Sequence, residues 1–562
     1  MTNAAFLTVG SNPWLACSLL FTARVFVPGM AWSWTCTTDA LSDSPWSDYL
    51  LAIAKSTILG FLIAVLNAFV LSELGLYSEP IEWISLTLLS AVGAAFGIVR
   101  ARQRLCSTLR FSLLGILLSI MTISLVMLLP ARGEWIVGGW DPGIYVNQGM
   151  IVERSGTFEP VPLAPYGLIT EDEGLLFVRG SENYRECFPG VPIDIRTSKL
   201  QHYFFRLMPS AVAVTARCGG LRAATRVNIL LGAMVCLALV AVLVGYRSGR
   251  IWSYFALFGL ITQPIWIYHL RTPTSEMLQL VLLLGICLCA ANSSTGLAKA
   301  IWSSLFMFAA IINRISFVPF AAIIILVSAI LDLEEHRNKT SVLVERIAQF
   351  IAISVATAIN WNVCSITIVR LKPIMPTLFL VTIVAVLMTI VIDLIGRTIV
   401  RYKIFSLLRP FFSMTFVSIT LITMGVIWLG SGTRLLAEPS YNLRQLIHYI
   451  GIIPLILACF GAILLLRRKH SFSNRFYGIL AFLSVISMAM LLQKGIKDLY
   501  PWATRRYLVY TIPLIAVLSG YLYHYLICQK NGFKWLARAL AVLLLAATIL
   551  TNGRACWHAW SR

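Results

Sequence analysis

Apolar runs separated by short polar gaps fill almost the whole chain. The runs lie near 15–31, 49–71, 82–99, 111–130, 226–245, 251–268, 275–291 and 299–313, and again near 315–332, 344–364, 373–395, 408–430, 446–466, 475–492, 505–527 and 535–551. A hydrocarbon layer about 30 Å thick takes roughly 20 helical residues to cross. The pattern therefore predicts an all-α polytopic membrane protein. Arg24 sits in the middle of the first run and weakens it, and the two short runs flanking Arg314 predict a broken or re-entrant hairpin. The stretch "FFRLMPSAVAVTARCGGLRAATR" is only moderately apolar and is interrupted by Arg206, Arg217 and a glycine pair. It is expected to form one or two helices along the membrane interface.

Composition agrees with the pattern. Of 562 residues, 58% are hydrophobic and only 12% charged, against about a quarter charged in soluble domains. The net charge of +21 would suggest nucleic acid in a soluble protein, but here its placement speaks for topology. "RARQR", "YRSGR", "GRTIVRYK", "RRKHSFSNR" and "QKNGFKWLAR" occupy alternate gaps, which assigns those gaps to the cytoplasm. The gaps 131–225, 269–274, 431–445 and 493–504 then face outward, as do both termini. The outer loop 131–225 is much the longest and is acid-rich. The twelve cysteines are scattered, most of them in apolar runs, with no CxxC pair and no His-rich cluster. They read as small core residues. The N-terminus lacks the basic start of a cleavable signal. No phosphate-binding glycine motif stands in the sequence and no terminal globular extension is expected, so any chemistry is expected to use membrane helices and outer loops.

Four groups of chemically capable residues fall on the outer side. "GGWDPGIYVNQGMIVERSGTF" carries Asp141 where an apolar run ends, with Tyr145 and Gly149 on the same face of the helix expected to follow the Asp141-Pro142-Gly143 turn. "RTPTSEMLQL" places Arg271 and Glu276 around a helix start, with Thr272 as the expected cap before Pro273. "INRISF" holds Arg314, a costly residue at membrane depth. "QKGIKDLYPWATRRYLVY" holds Lys497, Asp498, Arg505, Arg506 and Tyr507. Each has a plainer reading: Asp141 as a cap, Glu276 as a complement to its helix dipole, and Arg505 and Arg506 as anchors at the membrane surface. Taken together, carboxylates that can deprotonate a hydroxyl and arginines that can hold a phosphate suit chemistry on a lipid-linked phosphosugar.

The ordered set of these motifs with "GGLRAATRVNILLG" resembles the GT-C membrane glycosyltransferases, of the family 39-like type that includes protein O-mannosyltransferases and aminoarabinose transferases. The resemblance covers roughly residues 111–330 and returns near 505. It implies a GT-C-like helix bundle with a long first outer loop, and an inverting transfer from a polyprenyl-phosphate sugar. Asp141 corresponds to the catalytic carboxylate and Glu276 to the assisting acid. Arg271, Arg505 and Arg506 would hold the donor phosphate, and Tyr145, Arg314, Lys497, Asp498 and Tyr507 would line the site. This chain has Asp-Pro-Gly where many members have Asp-Glu, and a lone Glu276 in place of a metal-binding Asp-x-Asp, so neither a divalent metal nor another cofactor is expected. Residues 1–110 would be accessory helices, 111–332 the catalytic module and 333–562 the helices that complete the donor site. The expected partners are the lipid bilayer, the donor and an acceptor glycan, lipid or protein, with no nucleic acid. A bacterial inner membrane is the expected location, the site facing away from the cytoplasm. Alternatives are a polymerase or ligase of lipid-linked glycans, a lipid or sugar transporter, and an inactive scaffold.

Overall fold

The computed structural model describes residues 13–33, 45–101, 141–159, 204–246, 250–291, 297–334, 339–363, 437–467, 508–529 and 533–561. It also describes four short strands within 179–200 and short stretches near 376–392 and 479–487. The runs expected near 111–130 and 408–430, and the motif residues Lys497, Asp498, Arg505, Arg506 and Tyr507, lie outside the described residues.

Six helices among the described residues are long and apolar enough to cross a membrane, or up to eight if two bent pairs each count as one span. The first begins as α1 (Pro13–Phe21), passes through a π-helical turn at Thr22–Phe26 and continues as α2 (Val27–Ser33). It is followed by α3 (Pro45–Glu73) and α4 (Glu79–Ala101). α2 and α3 meet backbone to backbone. A Cβ on Gly29 would lie 1.8 Å from Ser56 O, and one on Gly60 would lie 1.8 Å from Val25 O. Small residues let helices approach this closely where lipid offers no competing hydrophobic force. Gly60→Ala should therefore lower the thermal midpoint in detergent. The clash costs about 1–3 kcal/mol, which outweighs the roughly 1 kcal/mol that alanine gains in a helix interior. An unchanged or higher midpoint would mean that the two backbones do not touch.

α5 (Asp141–Ser155) starts at the aspartate itself, so the expected turn is the first turn of the helix, with Pro142 at a position that needs no N–H. The loop after α5 then contains an antiparallel sheet, β1 (Arg179–Ser181), β2 (Tyr184–Phe188), β3 (Val191–Asp194) and β4 (Lys199–Leu200), each strand paired with the next. The helical membrane architecture stands as expected, with a small meander added in the loop, where period-two patterning was too short to stand out.

α6 (Leu207–Ala224) occupies the stretch expected to form one or two helices, and it is not among the helices long and apolar enough to cross a membrane. It is buried along Leu207–Ala216, packs on α3 and α5, and kinks at Gly219–Gly220, where Gly220 has φ +63°. The physical reason lies in its first ten residues, "LMPSAVAVTA", which offer no charged face to water. Gly149 sets the distance between α5 and α6: a Cβ there would come within 2.4 Å of the Val212 side chain.

Next come α7 (Val227–Gly245), α8 (Arg250–Ile261), α9 (Pro264–Leu270), α10 (Ser275–Ala291), α11 (Leu297–Asn313), α12 (Val318–Glu334) and α13 (Lys339–Val363). The C-terminal helices are α14 (Ala437–Ile450), α15 (Ile452–Arg467), α16 (Thr511–Ile527) and α17 (Lys534–Ser561). α10 and α11 run antiparallel, with Asn313 at the end of one beside Ser275 at the start of the other. α11 and α13 run parallel, tied by Lys299–Glu345 at 3.4 Å near one end and by Asn360 Nδ2 donating to Ile311 O near the other.

Two runs read as single spans are broken. α8 and α9 bend by 73° at Thr262–Gln263, and α14 and α15 bend by 101° at Gly451, which has φ +90°. Pro264 explains the first break, since it brings no N–H and crowds the preceding turn. Both breaks free a carbonyl, and one side chain on α17 takes both: Asn552 Nδ2 donates to Thr262 O at 3.1 Å and to Ile450 O at 3.1 Å.

The N-terminal helices are joined to α6 by a buried charge cluster. Arg24 lies 3.4 Å from Glu82 and 3.3 Å from Glu79, and Arg217 lies 3.0 Å from Glu82. Arg217 also donates to Tyr77 O at 2.7 Å and covers the Tyr77 ring. Beside this cluster Arg206 pairs with Glu73 at 2.6 Å, and Tyr77 N–H donates to Gly156 O at 3.1 Å. The arginine that weakened the first run therefore has carboxylate partners, and the α3–α4 turn braces the far end of α5.

Candidate functional site

Three stretches far apart in the sequence meet where α5 and α10 begin and α11 ends. Tyr145 comes one turn after Asp141 on the inward face of α5, and Asp141 is half-buried. The Tyr145 hydroxyl donates to Ser275 Oγ at 3.1 Å, and its ring stacks on Phe204 with centroids 4.8 Å apart. Arg314, in the turn after α11, donates to Ser275 Oγ at 3.4 Å and forms an ion pair with Glu276. Ser275 thus joins the α5 motif to the arginine.

The environment fixes roles. Burial pushes the Tyr145 phenol well above its ordinary range, and the neighbouring Asp141 and Glu276 carboxylates push it further. Tyr145 therefore stays protonated at neutral pH and serves as a hydrogen-bond donor. Glu276 is buried in the first turn of α10, where the helix dipole favours a negative charge. The Arg314 side chain is 31% exposed, whereas that of Glu276 is 3% exposed.

Arg271 closes α9, five residues before Glu276, and is buried. The loop that carries it is held by Asn228 Nδ2, which donates to His269 O at 3.1 Å and also to Thr272 O. Thr272 is not the cap of α10. That helix begins at Ser275, and the Thr272 hydroxyl donates back to Tyr268 O at 2.9 Å. Asn313 Nδ2 donates to Ser275 O at 2.9 Å and to Gln279 Oε1 at 2.8 Å.

Of the ten residues singled out in the sequence, the structure brings together Asp141, Tyr145, Glu276 and Arg314, with Arg271 on the adjoining loop. The other five fall in the undescribed stretch before α16. The first described residues after it, Leu508 to Tyr510, are buried, and Tyr510 lies within electrostatic reach of Arg314 and against Phe320, 5.3 Å between ring centroids. Sequence reasoning did not select Ser275, Asn313, Gln279, Phe204 or Tyr510. All five fall inside quoted stretches, but nothing in the pattern marks any of them apart from its neighbours. Among the described residues, no group of three or more His, Cys, Asp or Glu side chains could hold a metal ion. No protein-family model, curated protein or solved structure matches the chain.

Proposed function

We propose that this chain is a membrane-embedded inverting glycosyltransferase that moves a sugar from a polyprenyl-phosphate donor to an acceptor hydroxyl on the outer face of the membrane. The observation that carries this reading is the meeting of Asp141 and Tyr145 with Ser275, Glu276 and Arg314 at one end of the bundle. In the proposed reaction Asp141 accepts the acceptor hydroxyl proton while that oxygen attacks the anomeric carbon. The bond from that carbon to the phosphate oxygen breaks, and polyprenyl phosphate leaves. Arg271, Arg505 and Arg506 hold the leaving phosphate, whose developing charge fixed cations stabilise. Lys497, Asp498 and Tyr507, which lie outside the described residues, also have a part in the proposed donor site. Glu276 is held by Arg314 and orients the sugar, and the outer loop covers the site.

The feature that a transporter would share is the pair of broken helices, whose freed carbonyls commonly coordinate coupling ions. Here Thr262 O and Ile450 O already accept hydrogen bonds from Asn552, which favours the transferase reading.

The test uses purified full-length protein in detergent with radiolabelled polyprenyl-phosphate hexoses, pentoses and aminosugars. Binding or slow hydrolysis of one of these donors is expected. Silence with all of them, together with turnover of diphosphate-linked oligosaccharides, would replace this reading with a polymerase or ligase. Within the same assay Tyr145→Phe should lower transfer about tenfold, the worth of one hydrogen bond in a desolvated site, without loss of folded protein. Full activity in that variant would remove Tyr145 from the site.

A further inference from the structure

Next to Ser275 the protein buries more hydrogen-bonding atoms than the described residues use. Thr274 Oγ1, Asn313 Oδ1 and Gln279 Nε2 are all buried without a partner among the described residues. Their residues are 0%, 1% and 2% exposed. Buried polar atoms in native proteins are paired in the large majority of cases, and each unpaired one weakens the fold. These three are also neighbours. Thr274 precedes Ser275 in the chain, Gln279 lies one turn further along α10, and Asn313 is bonded to both Ser275 O and Gln279 Oε1. Reversing the two amides would leave as many atoms uncommitted and would forfeit the bond to Ser275 O. A fourth unpartnered atom, Gln148 Oε1, lies one turn beyond Tyr145 on α5.

Thr274 is the most telling of the group. A threonine just before the first residue of a helix ordinarily accepts a hydrogen bond from an N–H of the first turn. This one makes no such bond, so its hydroxyl is not spent on the helix start.

We infer that Thr274, Asn313 and Gln279 form the surface that recognises the hydroxyl groups of a neutral sugar ring, an inference that rests on the transferase reading above. The donor and acceptor types decide the ligand class. Thr274 can donate and accept, Asn313 Oδ1 only accepts, and Gln279 Nε2 only donates. A phosphate offers acceptors alone and leaves Asn313 unsatisfied. A ring hydroxyl both donates and accepts, and satisfies all three. The cations around Arg314 and Arg271 would take the phosphate, and this neutral surface would take the sugar.

The test compares wild type with Thr274→Val and Thr274→Ser in the full chain. Thermal midpoints are measured without donor, and transfer is measured with the panel of polyprenyl-phosphate sugars. Valine has the shape of threonine without the hydroxyl, so T274V should raise the midpoint by about 2 °C and lower kcat/KM about tenfold. T274S keeps the hydroxyl and should stay within about threefold of wild type. The donor that is turned over should carry an uncharged sugar. A lower midpoint for T274V would show that the hydroxyl serves the fold and would overturn the inference. So would undiminished transfer by T274V, or an exclusive preference for a sugar bearing a carboxylate or an amine. A wild type silent with every donor would instead bring down the transferase reading, and this inference with it.

Discussion

Asp141→Asn should reduce sugar transfer about 10³-fold, within the range that a positioned general base contributes, while leaving the protein folded and inserted. The substitution separates the two roles open to this residue. Asp141 is the first residue of α5, and asparagine matches aspartate in size and in side-chain oxygen at a helix start. The change therefore keeps shape and that oxygen and removes only the charge and the proton-accepting lone pairs. Loss of the favourable interaction with the helix dipole costs about 0.3–1 kcal/mol, a small shift in midpoint for a chain of this size. If Asp141 accepts the acceptor proton, transfer is lost and the midpoint barely moves. If it only starts α5, transfer stays near the wild-type rate. Tyr145 cannot substitute as the base, since its phenol is held protonated by burial and by the carboxylates beside it.

The sequence reading succeeded where local chemistry decides local structure, and failed where distant faces decide packing. Asp-Pro-Gly followed by a helical pattern announced α5, and "TPTSE" announced α10, though the helix begins at Ser275 and Thr272 turns its hydroxyl back to Tyr268. The breaks at Gln263-Pro264 and Gly451 were also written locally, but two apolar half-helices on either side of a break sum to the length of one span. What hydropathy cannot provide is direction. In lipid a helix that is apolar all round has no face marked for the core, so nothing in "LMPSAVAVTA" told which helices it would pack against. Likewise Asn313 and Ser275 are 38 residues apart and Arg24 and Glu82 are 58 apart. Each looked like an isolated polar residue until the fold paired it. The site was legible as separate motifs, while the serine that joins them was not.

Arg24 and Glu82 yield the other large effect, and the prediction is asymmetric. Glu82→Leu should destabilise the protein by about 3 kcal/mol or more, the usual result of leaving a buried charge without its partner. In this cluster two guanidiniums would be stranded. Arg24 is fully buried, the Arg217 side chain is 7% exposed, and both point at Glu82 Oε2. Glu79 cannot compensate fully, because its side chain is 40% exposed and it reaches Arg24 alone. Arg24→Leu should cost much less, since Glu82 would keep Arg217 at 3.0 Å and the Tyr77 hydroxyl at 3.3 Å. The double variant Arg24→Leu with Glu82→Leu should then be more stable than Glu82→Leu alone, because it removes one of the two stranded cations. Thermal midpoints and monodisperse yield in detergent give the ranking, with Glu82→Leu roughly 3–4 °C below wild type for a chain of 562 residues. A double variant less stable than Glu82→Leu would mean that Arg24 packs independently of the carboxylate. The effect should also reach the site. Arg217 sits on α6, α6 lies against Gly149 of α5, and α5 carries Asp141, so slack in the charge cluster passes through two helix contacts to the proposed base.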